Sequence, residues 1–506
     1  MTRAGVAAAL LFALSVLGLA CSNVRPRGDG FEYVLQAAAF AIHATPDVRD
    51  SDTVWVAATE PRLGGVMRQV RRGMVSGERS ILGSVQRAPS GRYYSFHFWL
   101  YSLLAAPFLW LSQLVGLTPL LALPLVNALS VLAASFYATR VLSGRLRLWV
   151  PLAFLLSGTS YYLHWSGPET LTASACFVAA LAAMVGRPGH ALLATGIASS
   201  QNPGALALTL LVAGWWLLLR RHPEKGLFGP APLAPVDRGF VLLAGAGVFL
   251  ALLSPLFFTL TFGEPSLIAR QAIDPSLIAP ARLFSLVFDL NQGLLIGIPG
   301  VLVGFAVAAA FVFHLRSVPE QRLLYVALAL GSSTTLLAVL PSLGTLNWNS
   351  GCSVLMRYAY WGVMPLLVTL LGIATRLADG VGLAIVAPSA AVQVLSLALY
   401  GVTGSSAAYT RHGPVARFVM AHFPAFYNPE PEVFFERSLG REAPPTAHPV
   451  VVWPRRGEPS KVLVTVPGAF TSYEICGGNE FESASVALST GGARYLNGPF
   501  HCRPAR

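Results

Sequence analysis

The segment GDGFEY, Gly28 to Tyr33, sets two carboxylates, Asp29 and Glu32, three residues apart just beyond the first apolar run of the chain. A carboxylate at a membrane rim can take the proton from a hydroxyl group as that group attacks a substrate. Asp29 stands in a Gly-Asp-Gly turn, from which a side chain projects beside a substrate. The same position suits the N-cap of a helix over 31–44. Glu32 falls in the first turn of that helix, where negative charge complements the dipole, and Tyr33 follows it. A third acid, Glu169, follows Pro168 at the start of a later apolar run, with His164 and Trp165 just before it. Those two rings either stack on a flat substrate or anchor the chain at the bilayer interface.

Arginines are the natural partners for a phosphate. Arg357, in VLMRYAY, opens an apolar run on the face where basic residues are scarce, and Arg92 lies in GRYYSFHF. Arg270, in SLIARQ, sits in the loop after another run and can also meet a lipid head. DLNQG, Asp289 to Gly293, reads as a capped turn entering a span, with Asn291 open to a substrate-lining role. His97, at a span entrance, reads as a satisfied polar residue rather than a catalyst. No Cys/His spacing demands a metal, so no cofactor is implied, and a divalent cation stays open.

The elements that must position these groups are membrane helices. The 506 residues are 54% hydrophobic and 11% charged, where a soluble chain carries about 25% charge. This is the composition of an α-helical polytopic membrane protein. About eleven hydrophobic segments are long enough to be read as spans: 4–22, 96–116, 119–139, 148–165, 170–186, 190–219, 239–262, 293–315, 322–343, 358–376 and 380–401. The first reads as a retained signal anchor. SSQNPG, Ser199 to Gly204, divides 190–219 into two short halves, because Pro203 and Gly204 break a helix. Arginines cluster in short connections at 140–147, 187, 220–221, 316–322 and 376, which marks the cytoplasmic side. The net charge of +12 reflects either this cytoplasmic enrichment or anionic lipids and phosphate substrates, and no nucleic-acid partner is needed to explain it. Two full spans between His97 and Thr139 conflict with the basic cluster that follows, so either one is a shallow re-entrant helix or the cluster breaks the charge rule.

Polar, aromatic and Gly/Pro-rich connections then gather on the opposite face, with the acids at the rim rather than at mid-membrane depth. In the first polar loop, 23–95, Arg62 to Met74 places Leu63, Val66, Met67 and Val70 along one helical face with arginines opposite. Such a helix lies in the headgroup plane or on a protein surface. The membrane domain extends over 1–402, followed by a linker, 403–444, and a small β-rich extramembrane domain, 445–506. The last has strands at 450–453, 461–466 and 483–488 and a possible Cys476–Cys502 pair.

Taken in order, GDGFEYVLQAAAFAIHATPDVR, GRYYSFHFWLYSLLAAPF, HWSGPETL, VFDLNQGLLIGIPG and NWNSGCSVLMRYAYWGVMP resemble the landmarks of the GT-C superfamily of polytopic membrane glycosyltransferases. The resemblance covers about 30–375 and implies a mannosyltransferase-like enzyme. Its donor would be a polyprenyl-phosphate-linked sugar, and its acceptor a hydroxyl on a lipid, glycan or protein. It implies an inverting reaction with Asp29 as base and Glu32 beside it. Tyr33, Arg92, His164, Glu169, Arg270, Asn291 and Arg357 would lie around the substrates. It also implies a bacterial inner membrane location with the site facing the periplasm. The family often shows adjacent acids after span one, whereas Asp29 and Glu32 are three apart, so either can fill the place of the base. A polysaccharide or lipid transporter and a non-catalytic membrane scaffold are the alternatives from other classes.

Overall fold

A backbone surrounded by hydrocarbon must satisfy its own N–H and C=O groups, and the apolar runs of this chain do so as helices. The computed structural model describes residues 3–22, 24–26, 28–144, 146–314, 321–349, 354–377, 379–401, 408–442, 449–454, 459–465, 480–488 and 492–503. It is 71% helical, with a separate small sheet near the C-terminus. Among the described residues six helices are long and apolar enough to cross a bilayer: Pro119–Val141, Pro203–Arg221, Arg238–Phe262, Gln321–Gly344, Arg357–Arg376 and Gly380–Tyr400. The chain is therefore a multi-pass membrane protein. Four more of the eleven expected segments form shorter apolar helices, Ala9–Cys21, Leu100–Leu114, Glu169–Met184 and Pro299–His314. The two segments between His97 and Thr139 are thus unequal: the 15 residues of Leu100–Leu114 extend about 22 Å, short of a hydrocarbon core of about 30 Å.

The expected segment 148–165 is not one helix. Leu146–Phe154 gives way to a π turn at Leu155–Thr159 in which Ser157 has ψ −161°, and a single turn, Ser160–Tyr162, follows. The Ser157 hydroxyl donates to the Phe154 carbonyl at 2.6 Å, competing with the helical ladder. The break expected near SSQNPG is present. Helix Pro188–Gln201 ends at Asn202, whose Nδ2 donates to Thr172 Oγ1 at 2.8 Å, and a 3₁₀ turn leads from Pro203 into Leu208–Arg221.

Helices Pro188–Gln201 and Arg238–Phe262 cross where two glycines meet. A Cβ on Gly196 would press on the Gly247 carbonyl oxygen and stand 2.7 Å from the Gly247 Cα, and one on Gly247 would stand 2.6 Å from the Leu192 carbonyl carbon. Bare backbone at both positions lets the helices close up where lipid offers no hydrophobic drive. Gly247→Val is expected to destabilise this pair by about 1–3 kcal/mol. Heat-induced loss of the detergent-solubilised protein checks it, with Gly245→Val, which meets nothing within 4 Å, as the neutral comparison.

The chain divides into two compact units, the first comprising 1–272, 300–340 and 360–394, the second 273–299, 341–359 and 395–506. In the first unit the polar loop is a folded element. Helices Gly30–His43, Asp50–Thr59 and Gly64–Ser76 accompany an antiparallel sheet of order β1-β4-β3-β2, formed by β1 (Asp47–Val48), β2 (Ser80–Ile81), β3 (Val85–Arg87) and β4 (Tyr93–Ser95). The helix expected over 62–74 forms, but it does not lay its apolar face on lipid. Leu63, Met67 and Val70 are buried in the same core as Val34, Leu35 and Val56, and Arg71 pairs with Asp50 at 2.7 Å.

In the second unit, strands β5 (Val450–Trp453), β6 (Lys461–Val464), β7 (Glu480–Leu488) and β8 (Arg494–Arg503) form an antiparallel sheet of order β5-β6-β8-β7. The stretch expected as a linker, 403–444, carries helices Pro414–His422 and Pro431–Leu439. Their Ala416, Met420, Phe434 and Phe435 share a core with Val451, Leu463 and Tyr495, so it belongs to the domain. The Cys476–Cys502 pairing lies outside the described residues.

Helix Pro431–Leu439 also joins buried polar groups. Glu432 accepts from the backbone N–H groups of Trp348 at 2.9 Å and Asn349 at 3.1 Å. Burial nevertheless pushes its carboxyl up to about 7 from 4.5, with Glu436 adding to the rise. A carboxyl whose folded pKa is raised favours the folded state below its unfolded value and loses that contribution as pH climbs to the folded one. Stability is therefore expected to fall by about 3 kcal/mol between pH 4.5 and 7, and Glu432→Gln to remove that slope. Denaturant midpoints across this range provide the measurement.

Candidate functional site

Asp29 occupies the N-cap position of helix Gly30–His43, yet its side chain makes no capping hydrogen bond. Its backbone carbonyl takes the N–H groups of Glu32 at 2.9 Å and Tyr33 at 3.2 Å instead, which leaves the carboxylate turned elsewhere. The glycines on either side explain the motif. Gly28 has φ +47°, and a Cβ on Gly30 would stand 2.7 Å from that of Ser166. The helix start thus presses against the HWSG segment.

That segment is held from behind. Asn127, fully buried, donates from Nδ2 to the carbonyls of Trp165 at 2.7 Å and Leu163 at 3.3 Å and accepts from the Tyr101 hydroxyl at 3.1 Å. Thr170 Oγ1 donates to the Tyr162 carbonyl at 2.8 Å. Gly167 is crowded by Trp165 and by Oε2 of Glu169, so the Glu169 carboxylate lies beside the Trp165 indole. A Cβ on Gly28 would in turn be 3.8 Å from the edge of the Trp165 ring. Two of the expected site segments, GDGFEY and HWSGPE, therefore meet.

The third contributor is the strand end at 95–97. Glu32, only 1% exposed, accepts on Oε1 from the Ser95 hydroxyl and from the His97 backbone N–H at 2.8 Å. Its Oε2 lies 3.1 Å from His97 Nδ1. With Nδ1 directed at Glu32, Nε2 is the ring nitrogen left to face Asp29. Nε2 stands 3.8 Å from Oδ2 of Asp29, whose side chain is 31% exposed. Tyr33 packs its ring between His97 and Tyr101, with both centroid distances at 5.4 Å. The outcome is an ordered row: buried Glu32, imidazole, half-exposed Asp29. His97, expected to be a satisfied polar residue, is the centre of that row.

Asp29, Glu32 and His97 offer ligand atoms that all lie within 4.8 Å of one another. Both Glu32 oxygens already accept hydrogen bonds, so the donors facing outward are the Asp29 carboxylate and His97 Nε2. One carboxylate oxygen and one imidazole nitrogen form a mixed donor set that a transition-metal dication fits better than Mg²⁺, and water or substrate oxygens would have to complete its shell.

The other expected residues are placed as follows. His164 is buried between the two carbonyls that Asn127 holds. Arg92 is exposed in the turn joining β3 and β4, its carbonyl accepting from Ala88. Arg270 forms an ion pair with Glu264 in its own loop. Asn291 and Arg357 belong to the second unit. Asn291 donates to the Tyr427 hydroxyl at 2.8 Å and accepts from the Gly413 N–H at 2.9 Å. Arg357 lies over the Tyr358 ring at 5.2 Å. A cavity of about 530 Å³, lined in part by Arg187 and His190, lies at the far end of helix Glu169–Met184 from the carboxylates. Comparison of the chain with family models, with curated proteins and with solved structures finds no match.

Proposed function

We propose that this protein is a membrane glycosyltransferase of GT-C type, which moves a sugar from a polyprenyl-phosphate carrier to an acceptor hydroxyl. In this reading all eleven apolar segments belong to the membrane domain, and the site faces the periplasm of a bacterial inner membrane. The observation that supports it most is the Glu32–His97–Asp29 row, because it holds one carboxylate ready for proton transfer at the end of an apolar helix. Asp29 takes the proton of the acceptor hydroxyl as its oxygen forms a bond to the sugar C1. The bond from C1 to the phosphate oxygen breaks on the opposite side, which inverts the centre. Polyprenyl phosphate leaves with the electron pair, and an arginine, or a divalent cation were one held there, would stabilise it. His97 Nε2, fixed by the grip of Glu32 on Nδ1, receives or shares the proton that Asp29 has taken.

The direct test is mass analysis of glycolipids and glycans from cells lacking the protein. A missing sugar on one lipid or glycan class supports transfer; accumulation of an intact glycolipid with no sugar missing speaks for transport instead. His97→Gln is expected to lower transfer about 10- to 100-fold, the value of one hydrogen bond to a charged group of about 1.5–3 kcal/mol. A variant with unaltered transfer would remove His97 from the proton path.

A further inference from the structure

The second unit carries an aromatic surface that the proposed reaction does not use. On helix Pro414–His422, Ala416 and Met420 face the core, while Phe418 and His422 point away from it. Phe418 is 57% exposed, Phe423 51% and Phe426 87%. These rings also meet one another: Phe418 stacks on His422 at 4.5 Å, and Phe423 meets Phe426 edge-on at 6.2 Å. A contiguous exposed aromatic patch of this kind marks an interaction surface.

Two observations say what covers it. The first is position. Gly413, which starts this helix, is so close to Tyr400 that a Cβ there would lie 3.2 Å from the tyrosine ring, and Tyr400 is the last residue of a membrane-crossing helix. Gly413 N–H also donates to Asn291, at the end of helix Pro280–Phe288, and that helix exposes its own aromatic pair, Phe284 at 65% and Phe288 at 44%. Both aromatic helices therefore leave from one point at the end of a span, where Trp, Tyr and Phe favour the boundary between hydrocarbon and headgroups. The second is charge. Residues 401–429 include Arg411 and Arg417, both exposed, and not one Asp or Glu. A purely basic segment bearing exposed rings complements an anionic lipid surface.

We propose that Phe418, Phe423 and Phe426 seat the second unit on the headgroup layer of the chain's own bilayer, with Arg411 and Arg417 against anionic phosphates. The rings enter the boundary layer, and the opposite face of the helix keeps its packing on the sheet.

The test uses the full chain in nanodiscs of phosphatidylcholine with or without phosphatidylglycerol. The photoreactive analogue p-benzoylphenylalanine is installed at Phe426, and in a second protein at the exposed Arg441 of the same unit. Illumination followed by mass analysis identifies what each position touches. Lipid adducts at 426 well above those at 441 are expected. Arg417→Gln should reduce the preference of those adducts for phosphatidylglycerol about fivefold, the value of about 1 kcal/mol per basic residue near an anionic surface. Adducts to a second copy of the chain at 426, or lipid adducts no more frequent there than at 441, would overturn the proposal. Because both labelled positions are exposed, loss of folding does not mimic either result.

Discussion

Asp29→Asn is expected to lower sugar transfer about 10²- to 10⁴-fold, the range that a positioned proton acceptor supplies. The substitution keeps size, shape and the backbone carbonyl that receives Glu32 and Tyr33, so the helix start is retained. What it removes is the ability of the side chain to accept a proton. Glu32→Gln makes an informative contrast. Glu32 is buried and serves Ser95, the His97 backbone and the His97 ring together, so its loss should loosen the whole row and reduce folded protein as well as transfer. The readout is mass analysis of glycolipids and glycans from cells carrying each variant, alongside the amount of membrane-inserted protein. Normal insertion with lost product marks Asp29 as the base; full product from Asp29→Asn would end that assignment.

The carboxylates were visible in the sequence because each sits beside a local signal. Asp29 lies between two glycines, and Glu169 follows a proline at a helix start. The helix over 31–44 was also legible, and it spans Gly30–His43. The arrangement around them was not, because its bonds join residues remote in sequence. Glu32 and His97 are 65 positions apart, and Asn127 reaches across 38 to Trp165. Single side chains such as Ser95 and Asn127 carry no motif. A useful signal for His97 was present in retrospect: a histidine directly after a short Tyr-rich strand, YYSFH, entering an apolar helix. Conversely, Arg270 and Asn291 stood out by type and position, and the structure engages them in local pairing and in packing of the second unit.

Fold boundaries show the same division. Hydrophobic length located the helices, since apolar runs report directly on burial in lipid. It failed at 148–165, where Ser157 redirects the ladder without any change in hydropathy. The arginine-flanked face at 62–74 was a sound helix prediction, but amphipathicity alone does not say whether lipid or protein covers the apolar side. Here helix Asp50–Thr59 and the small sheet β1–β4 supply that cover, and the sheet's strands of two or three residues are too short to show a period-two pattern. In the second unit, the sequence pattern shows β5, β6 and most of β7, but not β8, because Gly498 and Pro499 interrupt its alternation.

Arg282→Met is expected to cost about 3–5 kcal/mol of stability in the second unit. Arg282 is 3% exposed, and its guanidinium donates to Glu430 at 3.2 Å and to the carbonyls of Leu343 at 2.9 Å and Thr345 at 2.7 Å, while lying 4.7 Å over the Trp348 ring. Helix Pro280–Phe288, the turn at 343–345 and the approach to helix Pro431–Leu439 thereby share one cation. Methionine fills similar space but leaves two carbonyls and a buried carboxylate without it, and an uncompensated buried charge is costlier than the pair is favourable. Adding Glu430→Gln should therefore recover part of the loss, since removing both charges avoids the orphaned one. The exposed pair Arg270–Glu264 gives the internal scale: Arg270→Met should cost no more than about 1 kcal/mol, because water already solvates both partners. Denaturant unfolding of the four proteins in detergent, followed by tryptophan emission, measures all of these differences. Equal midpoints for Arg282→Met and Arg270→Met would show that the buried arginine is not the joint that its contacts describe.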